Sequence, residues 1–320
     1  MAASMKVSEF MMNLHKTLIE TRKVTESTAT QYLQTLFSLN GKKSFNNLAW
    51  TKKKEQIQEI IDTYAKSTQL NQYSVLSSVL ALCADKATYK PIYNYWKDKM
   101  LSYKKELAGS IVPFEKSDKQ EENWITSEEV NKKKLELKTD VSSFASTKSI
   151  SAKQYDTLLQ FIVISLYTDI PPRRNQDFLD MYIVKKLPQN AENNRNYYDV
   201  ATGRFIFNKY KTAKTYGQQI IEVPKELKEA LDILIKFHPL SKNKSKEIKM
   251  LAKYDGSEFV SVNSITRILN KIFNKKVGSS MLRHVYLSDK YGDVIQDQER
   301  DAAMMGHSVS EAVGTYIKED

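Results

Sequence analysis

The stretch YDTLLQFIVISLYTDIPPRRNQDFLDM, residues 155–181, decides the fold of the second half of this chain. Its apolar residues recur at helical intervals over Tyr155–Thr168, which predicts a buried helix. The chain then turns, and a new helix starts with Arg174 near its N-terminus and Asp177 three positions later. An arginine presents a planar fork that matches two phosphate oxygens at once, and Asp177 is placed to hold that fork. By itself the stretch is more simply interpreted as a surface Arg–Asp helix pair, and a phosphate-binding arginine is the alternative.

The composition favours a polyanionic partner. The 320 residues include 49 Lys and Arg against 38 Asp and Glu, a net charge of +11 at pH 7. Such an excess points first to nucleic acid and second to an anionic membrane surface. No apolar run is long enough to span a bilayer, and the N-terminus lacks the apolar region of a signal peptide. We therefore expect an intracellular protein, in the cytoplasm or a host nucleus, and not a secreted one.

Residue counts argue against several kinds of site. Cys83 is the single cysteine, which excludes a disulfide framework and a cysteine-based zinc site. The four histidines do not have the spacing of metal ligands, and glycine-rich nucleotide-binding loops are not found in the sequence. We expect no metal and no cofactor. The richness in Lys, Asn and Tyr suggests an AT-rich genome such as that of a virus or a mobile element.

Two domains are predicted. Residues 1–107 show helical periodicity in three early segments and, after a break at Pro91, again over Tyr93–Leu107. Residues 108–121 contain Gly109 and Pro113 without a period, which indicates a linker. Residues 122–320 form the second domain. The three early helical segments are Glu26–Leu39, Lys54–Tyr64 and Asn71–Cys83.

The second domain is predicted to be helical around a small β-sheet. Thr126 followed by Glu129 is typical of a capped helix start. Between Tyr197 and Pro224 the spacing of apolar residues approaches every second residue. This pattern predicts a β-hairpin with its turn at Thr212–Gly217. The fold class is therefore mainly α with a small sheet or hairpin. Helices are predicted again at Lys225–Phe237, Val262–Phe273, Ser279–Tyr291 and Gln296–Met305.

Two further stretches carry candidate functional residues. Lys211 lies at the turn end of the hairpin, where a lysine can donate a proton to a leaving oxygen, with Lys209 and Lys214 within reach of the same turn. Arg283 lies early in a helix, whose N-terminus favours a phosphate nearby. In isolation, a solvated turn lysine and an exposed helical arginine are the simpler interpretations. His284 is adjacent to Arg283 and points in another direction.

The last stretch carries a tyrosine near a histidine. Gly306 is placed to end one helix, and Ser308 or Ser310 is placed to cap the next. His307 and Tyr316 are nine positions apart. A protonated tyrosine is a poor nucleophile, so it needs a proton acceptor or an activated phosphate.

In this order, the four stretches resemble the tyrosine recombinase family of phage-type integrases. The resemblance covers Trp124–Asp320 by motif and the N-terminal helices by pattern only. It implies a two-domain clamp around double-stranded DNA, a homo-tetramer on DNA, and integrase or recombinase activity without metal or ATP. It implies the following site residues: Arg174 and Arg283 as the phosphate clamp, Lys211 as general acid, Ser280 at a position usually held by His or Lys, His307 as a phosphate ligand or proton-transfer group, and Tyr316 as the nucleophile that forms a 3′-phosphotyrosine.

Two departures from the family pattern leave alternatives open. Ser280 can donate a hydrogen bond but cannot act as a base near pH 7, so the acceptor of the Tyr316 proton is open, and His284 is a substitute. Arg173 is a rival of Arg174, although the spacing to Asp177 favours Arg174. Two other functions share these residues: a type IB topoisomerase, and a DNA-binding protein without catalysis.

Overall fold

The computed structural model describes residues 7–110, 115–241 and 247–309, in two compact units, residues 1–115 and 116–320. The described residues are mainly helical, with one five-stranded sheet in the second unit. The prediction of a mainly α fold with a small sheet is confirmed.

The first unit is a helical bundle around a buried tryptophan. The Trp96 ring stacks on Tyr73 with centroids 6.2 Å apart, and its indole N–H donates to the Thr51 carbonyl at 3.1 Å. Ser8 and Thr25 cap the first two helices through their side-chain oxygens, as expected for hydroxyl residues at helix starts. The helices are α1 Glu9–Arg22, α2 Glu26–Leu39, α3 Lys54–Asp62, α4 Lys66–Leu80 and α5 Lys90–Gly109.

Pro91 does not interrupt a helix, contrary to the sequence prediction. It lies in the first turn of α5. A proline is tolerated there because the first N–H groups of a helix have no intrahelical partner and its φ is already helical. α5 continues to Gly109, so it extends into the segment predicted as a linker. Residues 111–114 of that segment lie outside the described residues.

The second unit is built around one apolar helix. Ala152–Thr168 is buried on nearly all sides, from Tyr155 to Tyr167, because neighbouring helices pack around it. Thr126 and Glu129 form the predicted capping box, with both reciprocal hydrogen bonds present. The helices of this unit are α6 Asp118–Asn123, α7 Ser127–Ser142, α8 Ala152–Thr168, α9 Asn175–Leu179, α10 Ala213–Tyr216, α11 Lys225–Phe237, α12 Val262–Phe273 and α13 Ser279–Met304.

The sheet has the order β4-β3-β2-β1-β5. β1 and β2 are parallel and the other pairs are antiparallel. Side chains alternate between the main core, which receives Phe205 and Phe207, and a smaller cluster on the other face, which receives Ile206. β3 and β4 form the predicted hairpin. The strands are β1 Met181–Val184, β2 Asn196–Asp199, β3 Arg204–Phe207, β4 Gln219–Glu222 and β5 Glu247–Lys249.

α13 is one continuous helix where the sequence predicts two, separated between Tyr291 and Gln296. The gap holds Gly292 but no proline, and an interior glycine costs a helix only about 1 kcal/mol. The helix ends as predicted at Gly306, whose φ is +73°. The N–H of His307 then donates to the Ala302 carbonyl at 2.9 Å, the pattern that satisfies the last carbonyls of a helix.

In the parts of the chain that the structure describes, none of the helices combines the length and the apolar character needed to cross a bilayer.

His238, at the end of α11, makes the stability of the second unit dependent on pH. Burial lowers the pKa of its imidazole, which is 2% exposed and accepts a hydrogen bond from the Leu240 N–H at 3.2 Å. The unfolded chain therefore binds a proton more readily than the folded chain. Stability is full above the ordinary histidine pKa and is lost as the pH falls below it.

We expect urea unfolding to show a larger loss of stability between about pH 7.5 and about pH 5.5 in the wild type than in His238→Asn, because asparagine does not titrate there. Equal pH dependence in the two proteins would contradict this assignment.

Candidate phosphate-binding site

The turn between α8 and α9 places two arginines side by side. Arg174 is the N-cap of α9, with φ −78° and ψ 149°, and its carbonyl accepts from the Asp177 N–H at 3.0 Å. The start of a helix at Arg174 is thus confirmed. α9 is anchored by Asn175, which receives the Tyr167 hydroxyl at 2.6 Å and donates to Thr266 at 2.9 Å. These bonds tie α9 to α8 and α12.

Arg173, and not Arg174, is the partner of Asp177. Its Nε donates to Asp177 Oδ2 at 2.9 Å, and its Nη1 donates to Gln219 Oε1 at 2.8 Å. The guanidinium Cζ of Arg173 lies 3.8 Å from the centroid of the Phe207 ring. The expectation that Asp177 holds Arg174 is therefore wrong. The flat Arg173 group fits between the aromatic ring and the carboxylate, which leaves Arg174 without an ion pair among the described residues.

Asp177 is nearly enclosed by this arrangement. Its side chain is 3% exposed, and Oδ1 has no hydrogen-bond partner among the described residues. Burial raises the pKa of the Asp177 carboxyl, and the guanidinium groups of Arg173 and Arg174 oppose that shift. The ionised carboxylate consequently depends on the nearby arginines.

Arg283 is oriented by its own helix. Its Nε donates to the Ser279 carbonyl at 3.2 Å and its Nη2 donates to the Ser280 hydroxyl oxygen at 3.1 Å. Ser280 therefore positions an arginine. Serine has no basic group, so this contact orients the arginine.

The three arginines meet in one cleft of about 220 Å³. Arg173 and Arg174 come from the turn before α9, and Arg283 comes from α13, so the fold unites two stretches that are far apart in sequence. Three guanidinium groups against one carboxylate leave the cleft positively charged, which suits a phosphodiester. The cleft is lined by Pro172, Arg173, Arg174, Asp177, Tyr210, Thr212, Tyr216, Gln219 and Arg283.

The hairpin lysines differ in their surroundings. Lys209 Nζ lies 3.2 Å from Asp180 Oδ2 and is thus engaged in an ion pair. Lys211 is exposed between Tyr210 and Thr212, both of which line the cleft. Lys214 is exposed on the single turn of α10. Of the three, Lys211 is flanked on both sides by cleft residues.

His284 does not share the arginine cleft. It lines a separate cavity of about 390 Å³ together with Ser279 and Ser280. Neighbouring helical residues point in different directions, as the sequence indicated. His284 as a substitute proton acceptor at the arginines therefore lacks geometric support in this structure.

His307 is far from the arginines within one chain. It follows the end of α13, and Arg283 lies near the beginning of that helix. The helical rise of about 1.5 Å per residue places Met304 roughly 32 Å from Arg283 along the axis. The structure thus unites Arg174, Arg283 and the Lys211 hairpin, but it does not bring His307 to them. Tyr316 and Ser310 lie outside the described residues.

Sequence reasoning missed the residues that hold the arginines. Gln219, Phe207 and Tyr216 all contact or border the cleft, yet they are ordinary positions of a hairpin. A period of two predicts which face of a strand is apolar, but it does not identify the arginine that packs there.

Comparison with known proteins does not assign this chain to a family. No protein-family model and no curated protein matches the chain. Among solved structures, the crystal structure of XerA recombinase aligns with 97% of this chain and 94% of its own, at 13% identity and a TM-score of 0.34. A likeness of that size supports no conclusion about this chain.

Alanine at Arg173 and at Arg174 is expected to change the stability by very different amounts. Arg173→Ala leaves Asp177 buried without its ion-pair partner and should destabilise the second unit by about 3 kcal/mol. Arg174→Ala should change the free energy of unfolding by less than about 0.5 kcal/mol, because its guanidinium makes no ion pair among the described residues. Urea unfolding followed by circular dichroism measures both.

The double variant Arg173→Met, Asp177→Leu is the matched control. It removes both charges, so it should recover much of the stability that Arg173→Ala loses. A destabilisation by Arg174→Ala as large as that by Arg173→Ala would contradict the assigned pairing.

Proposed function

We propose that this protein cleaves and rejoins DNA strands through a covalent bond between Tyr316 and the DNA phosphate, as a site-specific recombinase does. The observation that carries the proposal is the cleft in which Arg173, Arg174 and Arg283 converge beside the Lys211 hairpin. The resemblance of the surrounding motifs to tyrosine recombinases supplies the reaction type.

DNA is the proposed substrate because both the cleft and the whole chain are positively charged. An arginine fork suits the paired oxygens of a phosphodiester. The chain carries +11 overall, which favours a long polyanion over an isolated phosphate group. Binding should weaken steeply as salt rises, because each neutralised phosphate releases counterions.

The proposed roles follow from how each cation is held. Arg173 is fixed by Asp177 and Gln219 and forms the wall of the cleft. Arg174 and Arg283 then clamp the non-bridging oxygens. Charge that develops on those oxygens in the transition state is stabilised by groups already in position, which is the largest contribution in most enzymes of this kind.

In the proposed step the Tyr316 phenolic oxygen forms a bond to phosphorus, and its proton passes to a water molecule. The bond from phosphorus to the 5′ oxygen breaks, and its electron pair stays on that oxygen. Lys211 donates the proton that makes it a 5′ hydroxyl. The 3′-phosphotyrosine keeps the bond energy, so a 5′ hydroxyl from another strand can reverse the step without ATP. Rejoining is fast because the complex holds that hydroxyl at high effective concentration.

A nicked suicide DNA substrate tests the proposal. The wild type should form a protein–DNA adduct that survives denaturation, and Tyr316→Phe should form none, because phenylalanine lacks the attacking oxygen. Denaturing gel electrophoresis of labelled DNA measures the adduct.

Each alternative function has its own outcome in this assay. Intact DNA binding without an adduct on any substrate, including the ends of the element that encodes the protein, would indicate a binding protein. Supercoil relaxation without strand exchange would indicate a topoisomerase.

The general acid is identified by changing the leaving group. Lys211→Ala should slow adduct formation by about 10²-fold to 10⁴-fold, the usual contribution of a positioned acid. A substrate with sulfur at the bridging 5′ position should restore the rate, since a thiolate leaves without protonation. Lys209→Ala and Lys214→Ala are the matched controls and should change the rate little. Rescue of either control in place of Lys211→Ala would move the role to that lysine.

A further inference from the structure

A second cavity adjoins the arginine cleft, and the proposed reaction does not use it. It has a volume of about 390 Å³ and is lined by residues of α6 and of the start of α13, together with Asn175 and Thr266. Asn175 follows Arg174 directly in the chain. The hydroxyl oxygen of Ser280, which lines the cavity, accepts a hydrogen bond from Arg283 of the cleft at 3.1 Å. Single residues therefore separate the cavity from the cleft.

The cavity carries positive charge that is not neutralised. Lys119, Lys276 and His284 line it, and all three are exposed. The salt bridges of the described residues include neither lysine, and none of the described residues that line the cavity is acidic. The imidazole of His284 adds an N–H donor in either protonation state. Two lysines without a carboxylate favour an anion in this cavity.

Two hydroxyl groups of the cavity have protons left to donate. The Thr266 oxygen accepts from Asn175 Nδ2 at 2.9 Å, and the Ser280 oxygen accepts from Arg283 Nη2. A hydroxyl that accepts one hydrogen bond can still donate its own proton, and neither proton has an acceptor among the described residues. The non-bridging oxygens of a phosphodiester are charged acceptors, so a phosphate group matches this set of donors.

We propose that the cavity is a second phosphate subsite for the DNA strand that occupies the arginine cleft. The inference rests on the proposed function. Lys119 and Lys276 neutralise a phosphodiester that neighbours the one in the cleft, and the Ser280 hydroxyl donates to one of its oxygens. That bond fixes the rotation of the hydroxyl, so its lone pair stays directed at Arg283. A phosphate in the cavity thus helps to hold the arginine that faces the phosphate in the cleft.

The phosphate comes from DNA and not from a free anion, because a strand can occupy both subsites at once. Once one phosphate is held in the cleft, the neighbouring phosphate reaches the cavity at a high effective concentration. A free phosphate has no such advantage. In this arrangement Ser280 and His284 bind DNA and take no part in the bond changes.

Thymidine oligonucleotides with one or two phosphodiesters test whether the subsites take neighbouring phosphates. NMR of the four imidazoles follows binding to the full chain, and His284→Gln identifies the reporting resonance. In the wild type the second phosphodiester should raise the affinity by about 10-fold, as one charge-assisted contact does. The double variant Lys119→Ala, Lys276→Ala should lose this gain. Lys132→Ala, Lys138→Ala removes the same charge from exposed positions outside the cavity and should keep it.

The salt dependence of duplex binding gives an independent measurement. A labelled duplex of about 20 base pairs and arbitrary sequence is titrated at several salt concentrations and followed by fluorescence anisotropy. The slope of log affinity against log salt should be shallower by about 1 in Lys119→Ala, Lys276→Ala than in Lys132→Ala, Lys138→Ala, because one phosphate contact is lost. Circular dichroism should show an intact fold, since the backbone N–H of Lys276 still donates to Asn123.

Three outcomes overturn the inference. Equal salt slopes in the two double variants would show that the cavity binds no phosphate of the duplex. A gain from the second phosphodiester that survives Lys119→Ala, Lys276→Ala would place the neighbouring phosphate elsewhere. Inorganic phosphate that shifts the His284 resonances at the same concentration as the longer oligonucleotide would indicate a site for free phosphate.

These binding measurements are independent of strand cleavage. A wild type that forms no adduct refutes the proposed function, and the oligonucleotide gain and the salt slope still decide whether the cavity is a phosphate subsite. A wild type that forms the adduct while both double variants bind alike refutes the subsite and leaves the proposed function standing.

Discussion

The ion pair between Arg173 and Asp177 is the contact on which the candidate site depends. It is almost wholly buried, with side chains 13% and 3% exposed. Its guanidinium also bonds Gln219 on β4 and packs on Phe207 of β3, so one side chain joins the start of α9 to the hairpin. A buried charge without its partner has a high free-energy cost. The ion pair therefore fixes the start of α9 and the hairpin relative to each other.

This arrangement divides the cations of the cleft by role. Arg173 is held by contacts within the protein. Arg283 is oriented by hydrogen bonds to Ser279 and Ser280 of its own helix. Arg174 has its backbone in the α9 cap, and its side chain has no ion pair among the described residues. Among the lysines, Asp180 engages Lys209 and leaves Lys211 exposed at the cleft. Arg174 and Lys211 are thus without an ion-pair partner among the described residues, unlike Arg173 and Lys209.

α13 sets a second constraint, which is the distance between the residues at its two ends. Because an α-helix rises about 1.5 Å per residue, its length alone separates the residues at its two ends. Arg283 at one end and His307 beyond the other therefore cannot serve one phosphate within a straight helix.

The amino-acid sequence determined the helical class of the fold, the capped start at Thr126, the hairpin between 204 and 223 and the helix end at Gly306, because each depends on neighbours within a few residues. The resemblance of its motifs also singled out Arg174, Arg283 and Lys211 as candidate site residues. Only the tertiary structure decided that Arg173 takes Asp177, since the choice depends on Phe207 and Gln219 from a hairpin more than thirty residues away. It likewise decided that α13 runs through Gly292, because one interior glycine costs a helix only about 1 kcal/mol.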